Sequence, residues 1–411
     1  MAKRIGAGTI RLETPVKIAA AAAVGSRKEK EGPLGPEFDQ TIEDSSLGEK
    51  SWEKAETKMQ QLAVAIALQK AQITPDRVDV LLGGDLLNQC IATAYAAREL
   101  ARPFLGLYGA CSTMAESLTL AALLVESGAA RNALAVTSSH FCSSERQFRF
   151  PLNYGGVRTP TAQHTATAAG AALVAPFGKI SIREVCIGRV VDLGVTDPNN
   201  MGAAMAPAAW DTLRRFFADT GTAPADYDKI ITGDLAQVGS DLLVRLAAGE
   251  GCDLRPRYTD CGLMLYDRES QKVDAGASGC GCSAAVMCAH FFPAMQRGEY
   301  RNVLFLATGA LMSPTACQQG ESIPGVAHLL HLTAAGYGGS PAAEPPARPR
   351  AGAAGCARGF RLRRNAPPPC PASAEILSIL CAFHKKMIRD LTSRQKSCIM
   401  QPELDPKGDV R

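Results

Sequence analysis

Long apolar runs are missing from this chain. Its 411 residues contain no stretch approaching the roughly 18 to 20 apolar residues of a membrane-spanning helix. The apolar run nearest the start, Ile18 to Val24, is short and ends in Gly25-Ser26-Arg27-Lys28-Glu29-Lys30. Glu13 and Pro15 interrupt the basic residues before it, so no secretory leader is expected. Aromatic residues are scarce at 6%, while Ala and Gly are abundant, a composition suited to closely packed α/β layers. No Cys-x-x-Cys pair occurs; Cys280-Gly281-Cys282 is the nearest approach. A structural zinc site is therefore not expected, nor any metal bound by the chain itself. The 14 cysteines read as small buried hydrophobes in a reducing, cytosolic setting. A basic body is lacking too. Residues 336–411 hold 13 Lys or Arg against 6 Asp or Glu, a charge of +7, so residues 1–335 carry 4 − 7 = −3. No nucleic-acid partner is expected of a mildly acidic body.

What the chain does have is an internal repeat. In the first half, Gly109-Ala110-Cys111-Ser112 opens a mostly apolar helical run through Val125, followed by the strand-like Arg131 to Thr137. In the second half, Gly281-Cys282-Ser283-Ala284 opens a similar run, closed by Arg301 to Thr308. Upstream, Trp52 to Gln72 has apolar residues at helical spacing. Thr74-Pro75-Asp76, the strand Val78 to Leu82 and Gly84-Asp85-Leu86 follow it. The second copy begins near Pro207 and runs through Phe217. It continues through Thr222 to Asp226 and the strand Lys229 to Thr232, and ends in Gly233-Asp234-Leu235.

Short apolar strands separated by helices predict α/β architecture with mostly parallel sheets. The helices Met114 to Leu124 and Ala284 to Phe292 have no clear polar face, which places them between two sheets. The chain divides into a half at residues 1–178, a similar half at 179–335 and a tail at 336–411. The tail is rich in Pro, Ala and Arg, is expected to be disordered and dispensable, and offers one helical stretch, Ala374 to Leu391.

Cys111 is the sharpest candidate for chemistry. At a helix N-terminus the macrodipole and free N–H groups favour thiolate, and the same groups bind anions. A small residue at a crowded turn is the competing reading. Asp85 and Asp234 each follow a strand and a Gly, where a carboxylate caps a helix, binds a cation or tunes a pocket. His140 falls at the C-terminal edge of a strand, where α/β sheets bind ligands, although a structural hydrogen bond is equally open. Arg146 follows it and has the geometry for a carboxylate, or for a solvated loop. His290 reads as a satisfied core residue. His164, His328 and His331 read as loop or core residues.

Several segments together resemble a known family. They include Lys28 to Gly35, Gly84-Asp85-Leu86-Leu87-Asn88-Gln89, Gly109-Ala110-Cys111-Ser112-Thr113 and Glu145-Arg146-Gln147-Phe148-Arg149. Met205 to Ala209, Asp260-Cys261-Gly262-Leu263-Met264, Gly279-Cys280-Gly281-Cys282-Ser283 and Glu321-Ser322-Ile323-Pro324 complete the set. The duplicated halves resemble the thiolase fold of thiolases and β-ketoacyl synthases. Over about residues 10 to 335 the chain more closely resembles the stage V sporulation AD family of endospore-forming bacteria. That implies a five-layered αβαβα fold with the buried helices in the middle layer. It also implies binding of dipicolinic acid or its calcium chelate, uptake into the developing spore and release at germination. The place implied is the spore inner membrane, as a peripheral component beside membrane-embedded sporulation channel proteins.

The chain departs from the family's enzymes at their catalytic histidines. The thiolase Gly-His-Pro position reads Gly279-Cys280-Gly281-Cys282, and the synthase histidine position reads Gly233-Asp234-Leu235. Loss of such a base typically removes about 10² to 10⁴ in rate. The expectation is a non-enzymatic binding pocket without a cofactor of its own, calcium arriving only with dipicolinate. The resemblance and the residues together nominate Asp85, Asn88, Cys111, Ser112, His140, Arg146 and Asp234 as ligand-binding. An acyltransferase using Cys111 with His140 or His328 as base, and a scaffold with a dead pocket, are the alternatives. Oligomeric state stays open, a homodimer being one option.

Overall fold

The computed structural model describes residues 2–148 and 158–337. Ten strands form the body of its sheet. The first half supplies β1 (Lys17–Ser26), β2 (Val80–Gly84), β3 (Phe104–Gly106), β4 (Ala133–Ser139) and β5 (Ala168–Ala175). The second supplies β6 (Ile180–Cys186), β7 (Lys229–Thr232), β8 (Tyr258–Asp260), β9 (Asn302–Ala310) and β10 (Gly325–Ala334). Their order is β8-β7-β9-β10-β6-β1-β5-β4-β2-β3, so each half repeats the other about the β6–β1 junction. In each half β2, β3 and β4, or β7, β8 and β9, pair in parallel. The strand that follows, β5 or β10, pairs antiparallel on both its edges. One strand in each half therefore runs against the other four. Antiparallel pairing of Ile180 with Ile18 and Ser181 with Lys17 joins the halves.

The helices repeat as well. They are α1 (Trp52–Ala71), α2 (Ile91–Leu100), α3 (Thr113–Glu126) and α4 (Phe141–Phe148) in the first half. The second half has α5 (Met201–Thr220), α6 (Ala236–Gly249) and α7 (Cys280–Val286). Ser51 caps α1 by accepting a hydrogen bond from the Lys54 N–H, as a serine in extended backbone does. Helix α1 packs on β1, β4 and β5, and α5 packs on β9 and β10; these are the two outer layers. Helix α3 packs on β2, β4 and β5 of its own half and on β9 and β10 of the other, and it also touches α7. The middle layer thus holds the two apolar helices, giving the thiolase-like five-layered order. Their buried faces are built from Met114, Ala115, Leu118, Ala121 and Ala122, and from Ala284, Ala285 and Val286, all fully buried. Small residues suit this position because sheets press on the helices from both sides.

Beyond α7 the helix widens into a π turn, Met287–Phe291, before resuming at Phe292–Arg297. Pro293 has no N–H to donate, which removes one regular helical bond at that point. Helix α5 begins at Met201, six residues before the proline expected near its start, and Pro207 lies inside it. The Gly- and Ala-rich residues 202–206 are buried, and their packing favours helix despite the lost bond. Strand β10 runs to Ala334, so a cut after Thr333 would remove its last residue. The tail beyond Tyr337, including Ala374 to Leu391, lies outside the described residues.

Candidate functional site

Helix α3 is preceded by a single 3-10 turn, Ala110–Ser112, which carries Cys111. Ala110 takes a left-handed backbone (φ +52°), uncommon for a residue with a Cβ. Opposite this turn, Gly309 near the end of β9 approaches the Gly109 carbonyl so closely that an added Cβ would clash with it. The turn is thus clamped between the two halves. The Ser112 hydroxyl donates to the Gly109 carbonyl at 2.7 Å, and its side chain is buried.

Cys111 forms part of the wall of a cavity of about 450 Å³. Leu86, Tyr108 and Phe148 give it apolar and aromatic surface, while Ser144, Glu145, Gln163, Thr165 and Ser278 give it polar surface. The second half contributes Pro198, Asn199 and Met201 from the approach to α5, and Ala310 to Ser313 from the end of β9. None of the described lining residues is a histidine, lysine or arginine. Glu145 is paired with Arg158 at 3.0 Å, and the Arg158 guanidinium also lies over the Phe141 ring.

Two lining residues present polar atoms without a hydrogen-bond partner. Gln163 is 3% exposed and its Nε2 donates to the Asp234 carbonyl at 2.5 Å, which orients the amide. Its Oε1 is unpartnered, as is the Ser144 hydroxyl on α4. Buried polar atoms left unpaired cost roughly 1–3 kcal/mol each, so these positions favour a polar occupant.

The thiol of Cys111 departs from the sequence expectation. Burial pushes its pKa well above the ordinary value, and the Asp234 carboxyl and Cys280 push it further the same way. A helix dipole contributes about 0.3–1 kcal/mol, under one pKa unit, whereas full burial shifts a group by up to about 3–5 units. Desolvation wins, and Cys111 is held as the neutral thiol. Asp234 is the nearby carboxyl that acts on the thiol, and it accepts from the Gly279 N–H at 2.9 Å and the Thr308 hydroxyl at 3.2 Å. Burial raises this carboxyl to about 7, with Asp260 adding to the rise.

The two repeat aspartates are used differently. Asp85 is fully buried and accepts from the Leu87 N–H (2.9 Å), the Thr93 N–H (2.8 Å) and the Thr93 hydroxyl (2.6 Å). It braces the entry to α2 and does not line the cavity. In the second half that duty passes to Asp260, which accepts from the Leu235 and Ala236 N–H groups and frees Asp234 to reach Cys111.

His140 does follow the β4 edge, but it is not among the residues that line the cavity. Nε2 contacts the Ser45 carbonyl at 3.0 Å and so donates, while Nδ1 accepts from the Cys142 N–H at 3.2 Å. The ring lies beside Trp52, and burial lowers its pKa. Arg146, expected at the rim, instead pairs with Glu53 on α1, its side chain 56% exposed. Asn88 reaches the cavity only through Tyr108, whose hydroxyl donates to its Oδ1 at 3.2 Å. His328, the alternative base, accepts from the Gly188 N–H and does not line the cavity; burial lowers its pKa to about 4. His290 is partly exposed and contacts Glu37 at 2.8 Å, so it is not the core residue the sequence suggested.

With the site in view, the comparisons with known proteins decide the family. The model of the family "Stage V sporulation protein AD" matches residues 6–333. This chain belongs to the stage V sporulation protein AD family. The stage V sporulation protein AD of Bacillus subtilis (strain 168) is 45% identical over 335 residues, covering 81% of this chain and 99% of that protein. Among solved structures, two variants of OleA from Xanthomonas campestris align with a TM-score of 0.51 each. They are 14% and 13% identical and cover 79% and 81% of this chain, and 99% and 100% of theirs. That likeness carries the fold alone. As a member of the stage V sporulation protein AD family, the chain is a sporulation protein on a thiolase-like fold. No helix among its described residues is long and apolar enough to cross a membrane.

Proposed function

We propose that this sporulation protein binds dipicolinic acid in the Cys111 cavity, as ligand and not as substrate. It serves dipicolinate uptake into the spore and release at germination, as a peripheral component of the spore inner membrane beside membrane-embedded channel proteins. The observation that carries the reading is the state of Cys111. The thiol faces a cavity with no histidine among its described lining residues and is held neutral by burial and by Asp234, the reverse of an activated nucleophile. The cavity volume lies within the range of about 300–1,000 Å³ usual for small ligands. Tyr108 and Phe148 offer faces for a planar ring, and the hydroxyls of Ser144, Ser278 and Ser313 offer donors for carboxylates.

Charge favours the calcium chelate as the bound form. The described lining holds no cationic side chain, and Glu145 adds a carboxylate already paired with Arg158. A bare dianion meets little compensation there, whereas its calcium chelate carries its own. Calorimetric titration with dipicolinate, with and without calcium, tests the reading; heat that saturates at one site per chain is expected. Incubation with acyl-CoA thioesters followed by intact mass gives the opposing result: acyl-Cys111 formed with turnover would overturn binding without catalysis.

A further inference from the structure

A line of buried polar groups runs behind the cavity without lining it. Gln60 on α1 sits at its centre. Its Nε2 donates to the Thr93 hydroxyl at 2.8 Å and to the Ser138 hydroxyl at 2.7 Å. Each hydroxyl passes its proton to a carboxyl oxygen, Thr93 to Asp85 at 2.6 Å and Ser138 to Glu56 at 2.8 Å. Beyond Glu56 stands Ser143 on α4. Its Oγ lies 3.1 Å from Glu56 Oε2 and 3.1 Å from the His140 carbonyl. Ser143 has one proton for two acceptors. Both contacts are hydrogen bonds if Glu56 carries a proton on Oε2, donates it to Ser143, and Ser143 donates to the His140 carbonyl.

We infer that Glu56 is a positioning residue held as the neutral acid, tying α4 to α1 and β4 and so fixing the cavity wall that carries Ser144, Glu145 and Phe148. The opposite end of the same chain, Asp85, holds the turn bearing Leu86, a second piece of the wall.

The surroundings of Glu56 agree. It is fully buried, and burial followed by the nearby Asp85 carboxyl raises its pKa. The cation close by in sequence on α4, Arg146, is paired with Glu53. From α7 the Cys280 thiol faces the same region, with Cys90 beside Asp85, and both thiols are raised by burial. His140 is oriented by Ser45 and Cys142, and burial lowers its pKa.

The test uses the full chain and the variants Glu56→Gln, Glu56→Ala and Ser143→Ala. Two readouts need no ligand: the pH dependence of unfolding, and the rate of Cys111 alkylation followed by peptide mass. A neutral acid in the fold that ionises when unfolded makes stability fall as pH rises above the usual carboxylate range. Glu56→Gln keeps the donor and acceptor pattern, so its alkylation rate should stay within about twofold of the parent. Its pH slope between about pH 5 and 7 should differ from the parent's by about one proton. Glu56→Ala should change the alkylation rate about tenfold or more. Should that variant not fold, Ser143→Ala, which removes the contacts to Glu56 and the His140 carbonyl but leaves Glu56 with Ser138, decides the point with an expected change of about threefold or more. An unchanged pH slope in Glu56→Gln would overturn the neutral acid. Unchanged alkylation in a folded Glu56→Ala, or in Ser143→Ala where Glu56→Ala does not fold, would overturn the positioning role. Failure of dipicolinate to bind the parent would leave both arms standing, because neither uses it.

Discussion

Replacing Asp234 by asparagine should make the protein more stable above neutral pH and should make Cys111 more reactive. Asp234 is fully buried, and its carboxyl is raised from 3.8 to about 7. That is about three units, and at about 1.4 kcal/mol per unit the ionised carboxylate costs the fold about 4 kcal/mol at most. The sign follows from proton counting. Between the two values the unfolded chain has released its proton and the fold has kept it, so stability falls with rising pH and levels off above about 7. Asparagine removes that fall. Its carbonyl can still accept from the Gly279 N–H, and its amide can donate to the Thr308 hydroxyl, which reverses one bond. Allowing about 1 kcal/mol for each imperfect contact, a net gain of about 1–3 kcal/mol is expected at pH 8 and none at pH 4. The thiol should respond in parallel, since the Asp234 charge is the second cause of its raised pKa. Denaturant unfolding across pH measures the first effect, and the pH profile of Cys111 alkylation, moved to lower pH, measures the second. A variant with the parent's pH slope and an unmoved alkylation profile would refute the account of this pair.

Cys111→Ala should weaken dipicolinate binding by about 0.5–1.5 kcal/mol in a calorimetric titration, as for loss of one polar contact, with the fold intact. Gly309→Ala places a Cβ against the Gly109 carbonyl; a loss of about 1–3 kcal/mol in denaturant unfolding is expected, together with altered Cys111 alkylation. Phe305→Ala empties a fully buried position on β9 and should cost about 3–5 kcal/mol by the same unfolding measurement. His331→Leu leaves Glu184 with Arg11 but without the ring that now touches Glu184 and Asn302. A cost of about 1.5–3 kcal/mol is expected, read as a lowered midpoint of thermal unfolding.

The repeat, several of its strands and helices, and the place of the two apolar helices between sheets were legible in the sequence. Lys229–Thr232 is a strand with the bounds its apolar run suggested, and α1 ends one residue short of the expected Gln72. These are local properties: side-chain period, breakers such as Thr74-Pro75-Asp76, and the lack of a polar face on α3 all act within a few turns of chain. Cys111 at the start of α3 was legible for the same reason. Tertiary structure alone decided what that residue is. Whether a helix dipole or desolvation governs a thiol depends on what covers it, and Asp234 comes from the other half of the chain. Two aspartates in matching motifs looked equivalent, yet one braces α2 while the other reaches Cys111, because Asp260 takes over the bracing only in the second half. His140 stood at the expected strand edge, but its ring is engaged by the carbonyl of Ser45, 95 residues earlier in the chain. Asn199, Met201 and Ala310 to Ser313 carry no motif and line the cavity only because the second half folds against the first. Spacing along the chain fixes which elements form. The direction of each side chain and the polarity around it are set by residues far away in sequence, and those set the chemistry of the site.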